Sequence, residues 1–287
     1  MKLKQVETGQ KLMAITSNIS KNILNQELSI QVSLSGLSFC ILQRDTNTIT
    51  YIKHIVFDKK LNPFEVLDQL KHQFNTENEL QNTFKNVQVI HANELSTLVP
   101  KPLFTEDNLA DYLKFNSKIL KSDFIAYDSI VINDSVNVYV PYVNINNFIY
   151  DLCGSFTFRH SSTILIENIL SIEKNSSIKK MYVNVNKLTF EIVVLNKNKL
   201  VLYNTFEYTT KEDFIYYVLF TAEQLELNPE TFNLIFLGDI DAKDELYIVA
   251  KKYVRFVFLG NREDEYNYSI EAQPQSYHSD FTLIKSF

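Results

Sequence analysis

The chain has 287 residues, 45% of them hydrophobic, with 21 Phe, 16 Tyr and no Trp, enough core material for about two folded domains and far from a disordered composition. A formal charge of −6, from 28 basic and 34 acidic side chains with no basic block, leaves no electrostatic footprint for nucleic acid or anionic lipid. The longest apolar run, Phe214 to Phe220, is far shorter than the roughly 18 residues of a spanning helix, so no membrane insertion is expected.

In chain order, the N-terminus MKLKQVETGQKLMAITSNIS has neither a sustained apolar segment nor a small-residue cleavage site, so no secretory signal is read and the cytoplasm is the expected location. Leu28 to Leu34, Leu37 to Gln43 and Thr48 to Phe57 read as three strands joined by turns at Ser35-Gly36 and Asp45-Thr46-Asn47, an antiparallel meander. Asn62-Pro63-Phe64-Glu65 supplies an N-cap, a first-turn proline and an N3 glutamate, and Phe64, Leu67, Leu70 and Phe74 mark one helical face. Val87 to His91 is the next strand. Residues 93–143 interrupt the pattern with a Pro100-Lys101-Pro102 break, a helix from Thr105 to Phe115 and a hairpin from Phe124 to Val140 turning near Asn133-Asp134. A helix from Asn144 to Leu152, a strand from Phe156 to His160 and a helix from Ser162 to Ile172 follow.

After the polar stretch Glu173 to Ser177 the order restarts. Ile30–Phe57 and Met181–Tyr208 align without a gap at an offset of 151, with pairs such as Val32/Val183, Phe39/Phe190 and Ile41/Ile192 apolar in both copies. Strands are predicted from Met181 to Asn186, Leu188 to Leu195 and Lys199 to Tyr208, then a helix capped by Thr210 with Asp213. A strand from Asn233 to Leu237, a helix from Asp241 to Tyr253 and a strand from Val254 to Leu259 complete it; 263–275 reads as a loop. The expected domains are 20–176, with 93–143 as an inserted subdomain, and 177–287, each β-β-β-α-β-α-β.

That order, present twice, resembles the duplicated ribonuclease-H-like architecture of actin-like ATPases, sugar kinases and heat-shock chaperone ATPase domains. More closely, LSIQVSLSGLSFCI, VPKPLF and the ending YHSDFTLIKSF resemble an uncharacterised bacteroidete family for which an actin-like ATPase fold has been described. The resemblance spans essentially the whole chain. It implies an α/β fold of two ribonuclease-H-like domains in an actin-like ATPase arrangement, and a nucleotide site at the turn opening each half. There the superfamily places Asp-x-Gly, the carboxylate for the magnesium shell and the glycine for backbone approach to phosphate. This sequence has Ser33-Leu34-Ser35-Gly36 and Asn184-Val185-Asn186-Lys187, with no acid at either turn. Gly36, and Gly238 in the stretch corresponding to the adenosine loop, are carried over as remnant cofactor-binding positions. Gly238 also reads as a plain glycine turn before a helix. No residue is carried over as catalytic.

Other chemistry is sparse. His54, His72, His91, His160 and His278 are scattered without metal-ligand spacing, so no metal site is expected. Ser161 and Ser162 beside His160 read as helix N-cap residues rather than nucleophile and base. Cys40 and Cys153 read as buried thiols. Phe124, Tyr127, Tyr139 and Tyr142 of the insertion are either a partner-binding surface or internal packing. The expectation is a non-catalytic scaffold or adaptor for another protein, without cofactor. The alternative is a nucleotide-binding ATPase or small-molecule kinase using ATP with magnesium through carboxylates such as Asp45, Asp58 or Asp151. Homodimerisation through the insertion is a third reading.

Overall fold

A computed structural model describes residues 25–115 and 117–287. The N-terminal segment without a secretory pattern, and the domain start at 20, lie outside the described residues. The chain divides into two compact units. The first comprises residues up to Ile164 with Glu265–Gln273 and Thr282–Phe287; the second comprises Leu165–Asp264 with Pro274–Phe281. The expected ranges 20–176 and 177–287 are continuous, whereas here the division falls between Ile164 and Leu165 and the C-terminal segment supplies parts of both units.

In the first unit, β1 (Gln26–Ser33), β2 (Gly36–Gln43) and β3 (Thr48–Val56) form the expected meander. Helix α1 (Pro63–Thr76) starts at a full capping box, in which the Asn62 side chain accepts from Glu65 N and the Glu65 side chain accepts from Asn62 N. Strands β4 (Asn86–His91) and β8 (Thr157–His160) extend the sheet in parallel, separated in sequence by the insertion and by helix α3 (Val143–Cys153). Helix α4 (Ser161–Ile172) follows β8 directly.

Strand alternation divides the burial. Leu28, Ile30, Leu37, Phe39 and Ile41 face Val66, Leu70 and Phe74 of α1 and Ile145 and Ile149 of α3. Cys40, Leu42, Ile49 and Ile90 face the other way, where Ala272, Leu283 and Ile284 join them. The predicted loop 263–275 therefore contains structure: β14 (Asn267–Tyr268) pairs with β3, giving the order β14-β3-β2-β1-β4-β8. Helix α7 (Phe281–Ile284) supplies Leu283 and Ile284.

The insertion holds β5 (Ser96–Pro100), β6 (Ala126–Ile130) and β7 (Ser135–Tyr139) in the order β5-β7-β6. Sequence reading gave no strand at β5, whose terminal Pro100 sits at an edge as a residue lacking an N–H must. The helix expected from Thr105 to Phe115 shortens to α2 (Leu109–Leu113), because the Tyr112 hydroxyl ties the segment down at Thr105 N and Leu103 O.

The second unit repeats the plan. Strands β9 (Lys179–Val185), β10 (Thr189–Asn196), β11 (Lys199–Glu207), β12 (Asn233–Gly238) and β13 (Phe256–Leu259) are ordered β11-β10-β9-β12-β13, the counterpart of β3-β2-β1-β4-β8. Helix α5 (Lys211–Gln224) again begins at a capping box, Thr210 with Asp213, and α6 (Glu245–Tyr253) packs beside it. The aligned phenylalanines do the same work in each copy: Phe39 packs edge-on against Phe74 of α1 at 6.2 Å, and Phe190 packs against Phe214 of α5 at 4.7 Å. The duplication is imperfect, since Leu37 is buried whereas its counterpart Leu188 is exposed.

Candidate functional site

In open α/β sheets ligands bind beyond the carboxyl ends of the parallel strands. In the first unit that edge is formed by Ser33, His91 and His160, the last residues of β1, β4 and β8. His91 and His160 are register partners and both fully buried. The His160 Nδ1 accepts the Ser162 backbone N–H at 3.2 Å, which leaves Nε2–H to donate to Asn93 O at 3.1 Å. The His91 Nδ1 accepts from Tyr142 N, so its Nε2–H donates to Asn146 Oδ1 at 3.0 Å. Burial pushes both imidazoles down to about 3, so they are neutral at physiological pH.

Around His160 the insertion contributes a buried polar lining. Strand β7 turns Val136 and Val138 into the small subdomain's own core and Asn137 and Tyr139 to the opposite face. Asn137 Nδ2 donates to Ser162 Oγ and Thr163 Oγ1, both at 2.9 Å. Asp128 on β6 is 2% exposed and accepts from His160 N, the Thr163 hydroxyl and the Tyr139 hydroxyl. Ser162, His160 and Asp128 do not make a hydrolytic triad. Asp128 meets the histidine's backbone rather than its ring, and all three are sealed from solvent. Ser161 and Ser162, expected as N-cap residues, are instead the first two residues of α4, and the carboxylate stationed at that helix end is Asp128.

The β1–β2 turn is closed upon itself. Ser33 Oγ donates to Gly36 O and accepts from Ser35 N, and Phe57 N and Leu61 N bind Ser35 O and Leu34 O. A side chain at Gly36 would strike Ile55 O across the ladder, so strand packing alone requires this glycine. Of the alternative carboxylates, Asp58 lies at this end of the sheet. Asp45 follows β2 and Asp151 ends α3, which places both at the opposite end, and all three are exposed. Among the described residues no group of three His, Cys, Asp or Glu is placed to hold a metal ion.

In the second unit the corresponding edge carries Asn184, Asn186 and Gly238. Both asparagine amides donate to one oxygen of Glu191, Asn184 Nδ2 at 2.8 Å and Asn186 Nδ2 at 2.9 Å. Glu191 is buried, and burial raises its pKa despite these two donors. The Tyr208 hydroxyl donates to Asn186 O, its own pKa pushed up to about 12 by burial and by Asp244 and Asp239. Gly238 has φ +83°, and a Cβ there would collide with Val185 O; its N–H is taken by His278 O.

The remaining expected positions pack inward. Tyr127, Tyr139 and Tyr142 are 5, 0 and 9% exposed and Phe124 is half-buried, so the three tyrosines present no docking surface. They fill the subdomain core, the Asp128 network and the wall beside His91. Cys40 is buried and Cys153 half-buried, and neither forms a disulfide.

Sequence reading did not single out Asp128 or Glu191. A signal existed for Glu191: it stands in an otherwise apolar strand at the position where the first copy has Cys40.

Residues 16–257 match the model of a family described as a protein of unknown function, DUF3822. A solved protein of unknown function with an actin-like ATPase fold, from Bacteroides thetaiotaomicron, superposes with a TM-score of 0.75 at 27% identity, over 83% of this chain and 91% of that one. A chain of the PilM-PilN type IV pilus biogenesis complex superposes with a TM-score of 0.60 at 9% identity, over 90% of this chain and 96% of that one. No curated protein matches. The fold is the actin-like ATPase fold.

Proposed function

Since the chain belongs to the DUF3822 family, of unknown function, we propose that it is a non-catalytic scaffold of the actin-like fold that binds another protein. The observation that carries this reading is Glu191: the side chains of the turn where phosphate would be received in the second unit are spent on an internal carboxylate. A phosphate brought to the same donors would meet that buried acid. Asp128 plays a parallel part at the head of α4, where an incoming anion would otherwise find the end of a helix. Phosphoryl transfer needs carboxylates to hold magnesium, and neither turn has one. The PilM-PilN complex lends the reading an analogy, since that relative by fold is solved as a protein assembly. Two cysteines held outside any disulfide and a net negative charge support a cytoplasmic protein whose partner is not nucleic acid. Among the described residues no helix is long and apolar enough to cross a membrane.

Thermal unfolding with and without magnesium ATP tests the proposal. No shift is expected at millimolar nucleotide. A ligand present at 100 times its dissociation constant would add about 2.7 kcal/mol, and a stabilisation of that size would favour a nucleotide-binding ATPase or kinase.

A further inference from the structure

Helices α5 and α6 of the second unit lie side by side around a groove of about 520 Å³. They run parallel, because Lys211, the first residue of α5, pairs at 3.1 Å with Glu245, the first residue of α6. The groove's exposed apolar residues are unusually large: Tyr216 is 59% exposed, Ile248 46% and Tyr253 54%, and Phe220, 44% exposed, stacks on Tyr216 at 5.9 Å. Large contiguous apolar surface of this kind marks an interaction site.

Its charges are polarised. Glu212, Asp213, Asp244 and Glu245 gather where both helices begin, with Lys211 among them, whereas Lys251 and Lys252 occupy the end of α6. Such a face is complementary to itself when one copy is turned end for end. A two-fold axis through the neighbourhood of Ile248 would set Glu245 of each copy against Lys252 of the other and bring Tyr216 and Ile248 of the two copies together near the axis. The antiparallel apposition also opposes the helix dipoles favourably.

We propose that the α5–α6 groove is the contact between two copies of this chain, docked antiparallel about a two-fold axis. The inference is independent of the scaffold reading, which rests on other residues. A contact built from two short helices is at the small end of specific interfaces, so the dimer forms at high concentration rather than obligatorily.

Sedimentation equilibrium of the full chain tests it. The weight-average mass is expected to climb from 33.5 kDa towards twice that value with concentration, and more steeply at low salt. Ile248→Asp should hold the mass at the monomer value while circular dichroism shows the chain still folded. Glu245→Lys should weaken association about tenfold, and adding Lys252→Glu to the same chain should restore it. A wild-type chain that stays monomeric, including one whose groove serves a different protein, overturns the proposal. So does a dimer indifferent to Ile248→Asp, or a charge swap that fails to restore association.

Discussion

His91 and His160 set the response of this protein to acid. Both ring pKa values fall to about 3 through burial, against about 6.5 in an unfolded chain, so between those limits the unfolded state binds protons that the native state refuses. Stability from these residues is complete above pH 6.5 and is lost as pH falls, at up to about 1.4 kcal/mol per pH unit for each ring. Paired carboxylates such as Glu173, held low by Lys180 and Tyr182 against the opposing effect of burial, keep their charge to lower pH than a free carboxylate does. Urea titrations at pH 7.5, 6.5 and 5.5 should therefore show a fall in unfolding free energy that a His91→Gln variant flattens. A His91→Gln variant that keeps the wild-type slope would contradict the neutral, sealed state of that ring, and the comparison cancels Glu191, whose raised pKa acts in the opposite sense. The sequence displayed these histidines as scattered because their pairing is a matter of register: β4 and β8 are separated by the whole insertion. Glu191 carried a signal as the acid in an apolar strand, but its meaning lies in Asn184 across the ladder and Asn186 in the turn beyond it.

At the level of elements the sequence was far more legible, because caps and alternation are local. Both capping boxes follow from four-residue patterns, Asn62 to Glu65 and Thr210 to Asp213, and the structure contains both. Thr210→Ala removes the acceptor for Asp213 N and should cost about 1 kcal/mol, measured by chemical denaturation; Thr210→Ser should cost much less. Where two signals compete, local reading slips. Asp241 and Asp244 are both credible caps, but Asp241 accepts from Lys243 N and Asp244 N in a turn of its own, so α6 starts after Asp244 and not at Asp241. The strand β5 escaped because nothing local distinguishes five residues before a proline from a loop; its partner β7 lies about 40 residues away.

Across the molecule, the duplicated order and matching strand sequence of the two sheets were visible from one gapless alignment, while the dependence of each unit on distant segments was not. The insertion illustrates this. Its three strands and α2 share a core of their own, yet Asp128 and Asn137 satisfy groups at the head of α4, with Tyr139 donating to Asp128. Replacing 93–143 by a short linker should abolish the cooperative unfolding of the first unit, since each buried polar group left unpaired costs about 1–3 kcal/mol. Near-ultraviolet circular dichroism would report it; a truncated chain with an intact transition would show the insertion to be a detachable module.

Helix α7 bears on how a ribosome delivers this fold. The strands β1, β2 and β3 are synthesised first, but the residues that cover their second face, Leu283 and Ile284 against Cys40, Leu42 and Ile49, come only after the whole of 165–264. Throughout that interval the nascent polypeptide has only part of this cover, Ile164 of α4, and the greasy face is completed last.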